Sequence, residues 1–416
     1  MKFLIIFPDW GYFPLSYRRT IPPLSPAILA GILRHYGDVQ YIDERLQDIP
    51  FDAECDVVFI SAMTNQVQRA YHIAEQFRKK GITVALGGVH ASLLPGEAAQ
   101  HADAVFVGEV EENLHLFLRD FKTGQVRAKY QCQNLDDETA VHHVPDRTIY
   151  PGKGYLPLDP IMFFRGCRLS CEACSVPQTQ GKTVIFSPIA DILTEIQNAQ
   201  DYLFFINDDL YFHRSKIIDI LTGMVGMKKN WLGLGSAEMA RDETFLKLMK
   251  DAGCWLLYLD FGPREAIALN NPQRASGVMK QLQDRLARFS AQGLKIIGSF
   301  TFGYDFDTPA IFDNTLEFCV KNNIDEAEFH LLVPYPRTRL AQKWEQDDRL
   351  VCYDWQHYTA TEVVFTPKNM SASQLHEGYL KAWRTFYQLP VSEEEAVFDI
   401  KSFRAFPTFK PDKAYY

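Results

Sequence analysis

Short apolar runs alternate with longer amphipathic stretches along most of the chain. Residues 3–7, Phe-Leu-Ile-Ile-Phe, form an unbroken apolar run of strand length. Residues 39–43, 56–61, 83–86 and 104–107 are further strand-length stretches, apolar except at Gln40, Asp43, Asp56, Ser61 and Thr83. Between them, apolar side chains fall three and four apart in two segments. These predict helices over 25–35, with Ser25 as cap and Pro26 in the first turn, and over 66–80, stopped by Gly81. Alternating strands and helices at this spacing imply a parallel, doubly wound sheet. Ligands of such sheets bind at the carboxyl ends of the strands. The loops there read Pro8-Asp9-Trp10, Ser61-Ala62-Met63-Thr64, Gly87-Gly88-Val89-His90-Ala91-Ser92 and Gly108-Glu109-Val110-Glu111-Glu112.

Residues 115–155 read as a polar, irregular connector. The alternation then resumes, with strands predicted at 161–164, 201–206, 231–236, 255–260, 295–302 and 326–333. Helices are predicted over 188–200, with Ser187 as cap and Pro188 at its first position, over 213–227, and over 242–254. In the last, Asp242 is the cap and Gly253 the stop. Six such repeats make an open (β/α)6 barrel. Beyond it, Ser371 and Gln374 have capping-box spacing before a final helix. The expected fold is α/β in three parts: a Rossmann-like sheet over 1–145, a partial barrel over 156–345 and a small helical region over 346–416.

Composition narrows the function by exclusion. The 416 residues are 47% hydrophobic and 23% charged, ordinary for a folded globular chain. The net charge is −9 with no basic block, so no nucleic-acid footprint is expected. The apolar N-terminal run is too short for a signal peptide, and no stretch reaches membrane-spanning length. Eight cysteines are too few for a disulfide scaffold in a chain this long. A reducing cytoplasm is the expected compartment.

Three of the eight cysteines carry the chemistry. Cys167, Cys171 and Cys174 stand in a C-x3-C-x2-C spacing on the loop that follows the 161–164 strand. Thiolates are the usual protein ligands of iron–sulfur clusters. Four cysteines would fill a 4Fe-4S cube, whereas three leave one iron open. The alternatives are buried structural thiols or part of a zinc site, which needs a fourth ligand. A candidate donor, His213, lies far downstream, beyond a predicted helix and strand. Cys55, Cys132, Cys254, Cys319 and Cys352 read as inert thiols.

This motif, in this place, resembles the signature of the radical SAM enzymes. The "GGVHAS" and "VGEVEE" loops resemble the cobalamin-binding domain that precedes the barrel in one large class of that family. The resemblance spans nearly the whole chain, down to the "DWQHYTATEVVFTPKNMSASQLHEGYLKAWRTFY" tail. It implies a 4Fe-4S cluster on Cys167, Cys171 and Cys174, and S-adenosylmethionine chelated by the open iron. Its amino group would be held near Asn207, Asp208 and Asp209. Asp260 would stand in for a missing carboxylate, since the usual Gly-x-Glu-Ser Glu position is Gly262 here. The backbone at Gly303 would pack on adenine. Gly87 and Gly88 would admit cobalamin, with His90 as a hydrogen-bonding residue of the same loop. The D-x-H-x-x-G cobalt-ligand motif is absent; Asp9-Trp10-Gly11 follows the first strand.

Two further departures are Ala173, where the family has an aromatic residue, and Arg337, where it has Gly in P-x-P-G-T-x-L. Arg337 reads as a contact for an anionic substrate group or as a rim arginine. The implied reaction is methylation of an unactivated carbon on a small-molecule substrate of secondary metabolism. A 5′-deoxyadenosyl radical would abstract hydrogen and methylcobalamin deliver the methyl group. An external donor such as flavodoxin or ferredoxin would supply electrons. The runner-up keeps the cluster without methyl transfer: a cyclisation, a rearrangement or transfer of another SAM-derived group, with or without cobalamin.

Overall fold

The computed structural model describes residues 1–9, 21–132, 143–152 and 154–388. Trp10 and Gly11 of the first loop, and the C-terminal stretch from 389 onward, lie outside the described residues. The first third of the chain builds a parallel sheet of six strands. They are β1 (Lys2–Phe7), β2 (Asp38–Asp43), β3 (Val57–Ser61), β4 (Thr83–Gly87), β5 (Ala104–Val107) and β6 (Lys129–Gln131), in the order β2-β1-β3-β4-β5-β6. Side chains of a strand point alternately to its two faces, and both faces are covered here. On β1, Phe3, Ile5 and Phe7 enter a core with Ala27, Leu33, Leu114 and Phe117. Leu4 and Ile6 enter the opposite core with Val67, Ala70 and Phe77. The first core is supplied by helices α1 (Leu24–Leu33) and, further on, Leu114–Lys122; the second by α2 (Val67–Arg78).

Two short helices, α3 (Val89–Leu93) and α4 (Pro95–Ala98), follow β4. The next, α5, is the Leu114–Lys122 helix. With β6 it occupies part of the stretch expected to be an irregular connector. Its apolar positions, Leu114, Phe117 and Leu118, lie three and four apart and are buried. Helix α1 begins one residue before its expected cap: Pro23 precedes it, and the Ser25 hydroxyl lies instead 3.4 Å from that of Ser61.

The second sheet contains β7 (Asp159–Ile161) and five later strands. The expected 161–164 strand divides: β7 ends at Ile161, and β8 (Phe164–Arg165) turns away to pair antiparallel with β9 (Ile185–Phe186). The rest are β10 (Tyr202–Phe205), β11 (Asn230–Gly235), β12 (Cys254–Phe261), β13 (Lys295–Phe302) and β14 (Glu326–Leu331). The order is β14-β13-β12-β11-β10-β7, with every neighbour parallel. One face is covered by helices, and the other lines the lumen of an open barrel. Lumen positions low on the strands are apolar: Leu158, Leu232, Leu256 and Ile297.

Helix α6 (Val176–Thr179) follows the cysteine loop; α7 (Ile189–Asn198) and α8 (Arg214–Met224) come next. Pro188, rather than Ser187, occupies the cap of α7. In α9 (Glu243–Asp251) the Asp242 carboxylate accepts the Phe245 N–H, as its capping position requires. The remaining helices are α10 (Pro263–Asn270), α11 (Ser276–Ala291), α12 (Ala310–Lys321), α13 (Arg339–Gln346) and α14 (Ala372–Tyr387). The Ser371–Gln374 capping box forms, and α14 lies on β14, where the Trp383 indole donates to the Phe329 carbonyl at 3.2 Å. Among the described residues no helix is long and apolar enough to cross a membrane.

Candidate active site between the two sheets

Cys167, Cys171 and Cys174 sit on the loop between β8 and α6, and all are free thiols. Gly166 starts this loop at φ +80°, and a Cβ there would stand 2.0 Å from the Thr183 carbonyl oxygen. Only glycine fits so close an approach. The Cys167 N–H donates to the Gly181 carbonyl at 3.2 Å, which closes the loop on itself. Burial pushes all three thiols above their ordinary range, and Asp208 adds to the effect at each. Cys171 does the same for Cys167 and Cys174. Among the described residues no three His, Cys, Asp or Glu side chains converge tightly enough for a single metal ion. A four-iron cube takes one thiolate per iron, so its ligands stand further apart. Three free thiols on one pinned loop fit that donor set.

The Asn-Asp-Asp run after β10 divides its work. Asn207 is buried, with its amide fully used: Oδ1 accepts the Phe163 N–H and Nδ2 donates to the Phe164 carbonyl, both at 2.6 Å. It spans the gap where β7 breaks and ties down the backbone that leads into the cysteine loop. Asp209 accepts the Tyr211 N–H at 2.9 Å and is raised by burial. Asp208 is exposed and lies beside the thiols. Of the two carboxylates it is the one left open toward the thiol loop.

Asp260 ends the lumen face of β12, where burial raises its carboxyl, and its charge reaches Cys171. The Gly303 N–H donates to Asp307 at 2.8 Å, which fixes the backbone at the end of β13. Gly262 caps α10. Arg337 is exposed and has φ +62°. Its neighbours bind the cysteine loop: the Leu340 N–H donates to the Glu172 carbonyl at 2.9 Å, and Arg339 to that of Ser170.

Sequence reading did not find the polar set inside the lumen. The Tyr258 hydroxyl lies 2.8 Å from Glu328 Oε2 and 3.1 Å from His330 Nε2. Burial and Glu328 together push that phenol well up. Glu328 and His330 remain 25% and 33% exposed although their strand is covered on its other face, so they open inward. The only signal in the sequence was polar residues at alternate positions of β12 and β14, which is visible once the strands are paired.

The first sheet presents its own cavity, about 200 Å3, at the carboxyl ends of β3, β4 and β5. Phe59, Ala85 and Phe106 give it an apolar interior, and Ser61, Gly87, Gly88, Ser92, Glu109 and Glu111 a polar rim. Gly88 has φ +95°, and a Cβ there would meet the Ala62 backbone at 2.6 Å. Ser92 ties this loop to the next by donating to the Gly88 carbonyl and accepting the Gly108 N–H. Glu109 is pushed up to about 8 by burial and by Glu111 beside it, with Arg165 opposing. The apolar slot and glycine rim fit a slender arm of a large cofactor, as the cobalamin nucleotide tail would require.

His90 does not line this cavity; as expected of it, it is a hydrogen-bonding residue of the loop. Its side chain is 0% exposed, and Nε2 lies 3.2 Å from Glu97 Oε1. Burial lowers its pKa and keeps the ring neutral. The Trp355 ring lies 5.3 Å away, and the Trp355 indole donates to Glu97 Oε2 at 3.2 Å. Trp355 thus joins the C-terminal region to α3 and α4 of the first sheet.

A thiol loop at one sheet's edge, facing a glycine-rimmed cavity at another's, defines a radical SAM barrel preceded by a cobalamin-type domain. The B12 binding domain family matches residues 15–118. Two relatives from Chlorobaculum tepidum are each 28% identical to the chain. The bacteriochlorophyllide d C-12(1)-methyltransferase aligns over 88% of this chain and 82% of its own length; the C-8(2)-methyltransferase over 84% and 82%. Among solved structures, TsrM from Kitasatospora setae, a radical S-adenosylmethionine methyltransferase with cobalamin and a [4Fe-4S] cluster bound, superimposes with a TM-score of 0.63. That match has 12% identity and covers 83% of this chain and 78% of TsrM. The chain belongs to the B12-binding radical SAM methyltransferase family. The family's cofactors are cobalamin, a 4Fe-4S cluster and S-adenosylmethionine.

Proposed function

We propose that this enzyme methylates an unactivated carbon of a small molecule bound in the barrel lumen, above the apolar floor and beside the cysteine loop. The observation that carries the reading is the thiol loop itself: pinned at Gly166 and by the Cys167 N–H on the Gly181 carbonyl, it bears three free cysteines and continues into Thr179 and Gln180, which line the glycine-rimmed cavity. When bound, the cluster supplies an electron to S-adenosylmethionine and cobalamin supplies the methyl group. Cys167, Cys171 and Cys174 hold the cluster, Asp208 holds the ammonium group, and Gly88 admits the cobalamin arm. Tyr258, Glu328 and His330 orient a polar group of the substrate from inside the lumen. Arg337 faces an anionic substituent at the mouth. An external electron donor of the flavodoxin or ferredoxin kind, and a reducing cytoplasm, complete the reading. So does a substrate from secondary metabolism.

The test is anaerobic reconstitution with iron, sulfide and hydroxocobalamin, followed by desalting. Stoichiometric cobalt is expected, with equal yields of S-adenosylhomocysteine and 5′-deoxyadenosine under turnover with an accepted substrate. Iron without cobalt, together with 5′-deoxyadenosine alone, would replace methyl transfer by rearrangement or cyclisation.

A further inference from the structure

The cavity of the first sheet is not built from the first sheet alone. Thr179 and Gln180 line it, and they belong to the end of α6, six residues or fewer beyond Cys174. The intervening chain is continuous hydrogen-bonded structure. The Val176 N–H points to Cys174 Sγ at 3.4 Å. The Thr179 N–H donates to the Ser175 carbonyl at 3.2 Å, and the Gln180 N–H to that of Val176 at 2.8 Å. The next residue, Gly181, accepts the N–H of Cys167. From Gly166 to Thr183 the loop is therefore one closed unit, with thiols on one side and a cavity wall on the other. Ordering that unit at either side orders it at both.

We propose that cobalamin and the iron–sulfur cluster bind cooperatively in this protein, with Gln180 transmitting the coupling as the loop's contribution to the cobalamin cavity. This rests on the reading of that cavity as the cobalamin site. Each cofactor bears part of the cost of ordering the shared loop, so the second to bind meets a smaller cost. Coupling of this kind is reciprocal: the factor by which the cluster tightens cobalamin equals the factor by which cobalamin tightens the cluster. Gln180 is a positioning residue in this scheme. Its side chain makes no hydrogen bond among the described residues, so removing it leaves the loop's own hydrogen bonds intact.

The experiment uses the full chain and hydroxocobalamin under anaerobic conditions. The cobalamin Kd is read from the difference spectrum with the cluster reconstituted and with it stripped. Iron loss to a chelator is timed with and without cobalamin. Cobalamin is expected to bind about tenfold tighter to the loaded chain, within the usual range of such couplings, and to slow iron loss. Gln180→Ala is expected to bring the loaded chain's Kd to that of the stripped chain while retaining its iron. Cys171→Ser, which cannot hold the cluster, should match the stripped chain. Stoichiometric cobalamin with equal Kd in loaded and stripped chains would overturn the coupling and leave the proposed function standing. A Gln180→Ala chain with undiminished coupling would overturn the role of Gln180. No cobalamin binding in either form would overturn both the cavity reading and this inference.

Discussion

Gly87 and Gly88 are adjacent, line the same cavity, and differ in what a methyl group at each would meet. At Gly88 an added Cβ falls 2.6 Å from the Ala62 carbonyl oxygen and 2.7 Å from its nitrogen, both backbone atoms that cannot swing aside. Its φ of +95° and ψ of −174° lie in a region that is essentially glycine-only, costing about 1–3 kcal/mol for another residue. Overpacking adds about 1–3 kcal/mol, partly relieved as the loop moves. Gly88→Ala should therefore lose roughly 3 kcal/mol, and the loop's movement should misplace the cavity rim. At about 2–4 °C per kcal/mol, the melting midpoint falls by roughly 6–12 °C. At Gly87 the added Cβ meets only the Phe106 Cβ, at 3.7 Å, an ordinary contact. Gly87→Ala should melt within about 2 °C of the parent, given the usual ±0.5 kcal/mol of unstrained substitutions. The assay is thermal unfolding of both variants, paired with hydroxocobalamin retention on desalting. Equal behaviour of the two variants, in either direction, would refute the reasoning.

Other perturbations follow from the same geometry. Cys167→Ser, Cys171→Ser and Cys174→Ser should each lose most of the reconstituted iron and its visible absorbance, whereas Cys55→Ser, remote from the loop, should retain both. Arg337 holds a left-handed backbone that costs a non-glycine residue about 1–2 kcal/mol. Arg337→Gly should thus be more stable in urea than Arg337→Ala by about 1 kcal/mol, and the reverse order would remove the strain argument. Glu109 titrates near 4.3 when unfolded and at about 8 in the folded chain. Between those values the folded state holds the extra proton, so stability declines as pH rises from about 4.5 to 8. Glu109→Gln should flatten that decline in urea midpoints measured at pH 5.5 and 8.5.

Strands announce themselves in sequence when both faces are apolar, which is why β1, β3 and β5 stand close to their expected bounds. The cysteine loop was equally legible, because its ligands are neighbours along the chain. Features assembled across distance were not. Glu328 and His330 meet Tyr258 only after β12, β13 and β14 pair in register. The amide of Asn207 reads as part of a polar cofactor loop until the break between β7 and β8 supplies it with backbone partners. Both misplaced caps sit beside a proline, Pro23 or Pro188, that takes the extended position itself. His90 looked like a loop residue because its covering residue, Trp355, lies more than two hundred positions away.

That separation also sets a schedule. Glu97 and Trp355 are 258 residues apart, and chains leave the ribosome at about 5–20 residues per second. All strands of the first sheet are therefore made roughly 10–50 s before the tryptophan that fastens it. Thr179 and Gln180 emerge within that interval, after the sheet and before the fastener. During synthesis the sheet's strands come first, then the α6 wall of the cavity, and last the residue that fastens the sheet to the C-terminal region. The sheet and the wall of its cavity can therefore form before the contact that ties them to the C-terminal region exists.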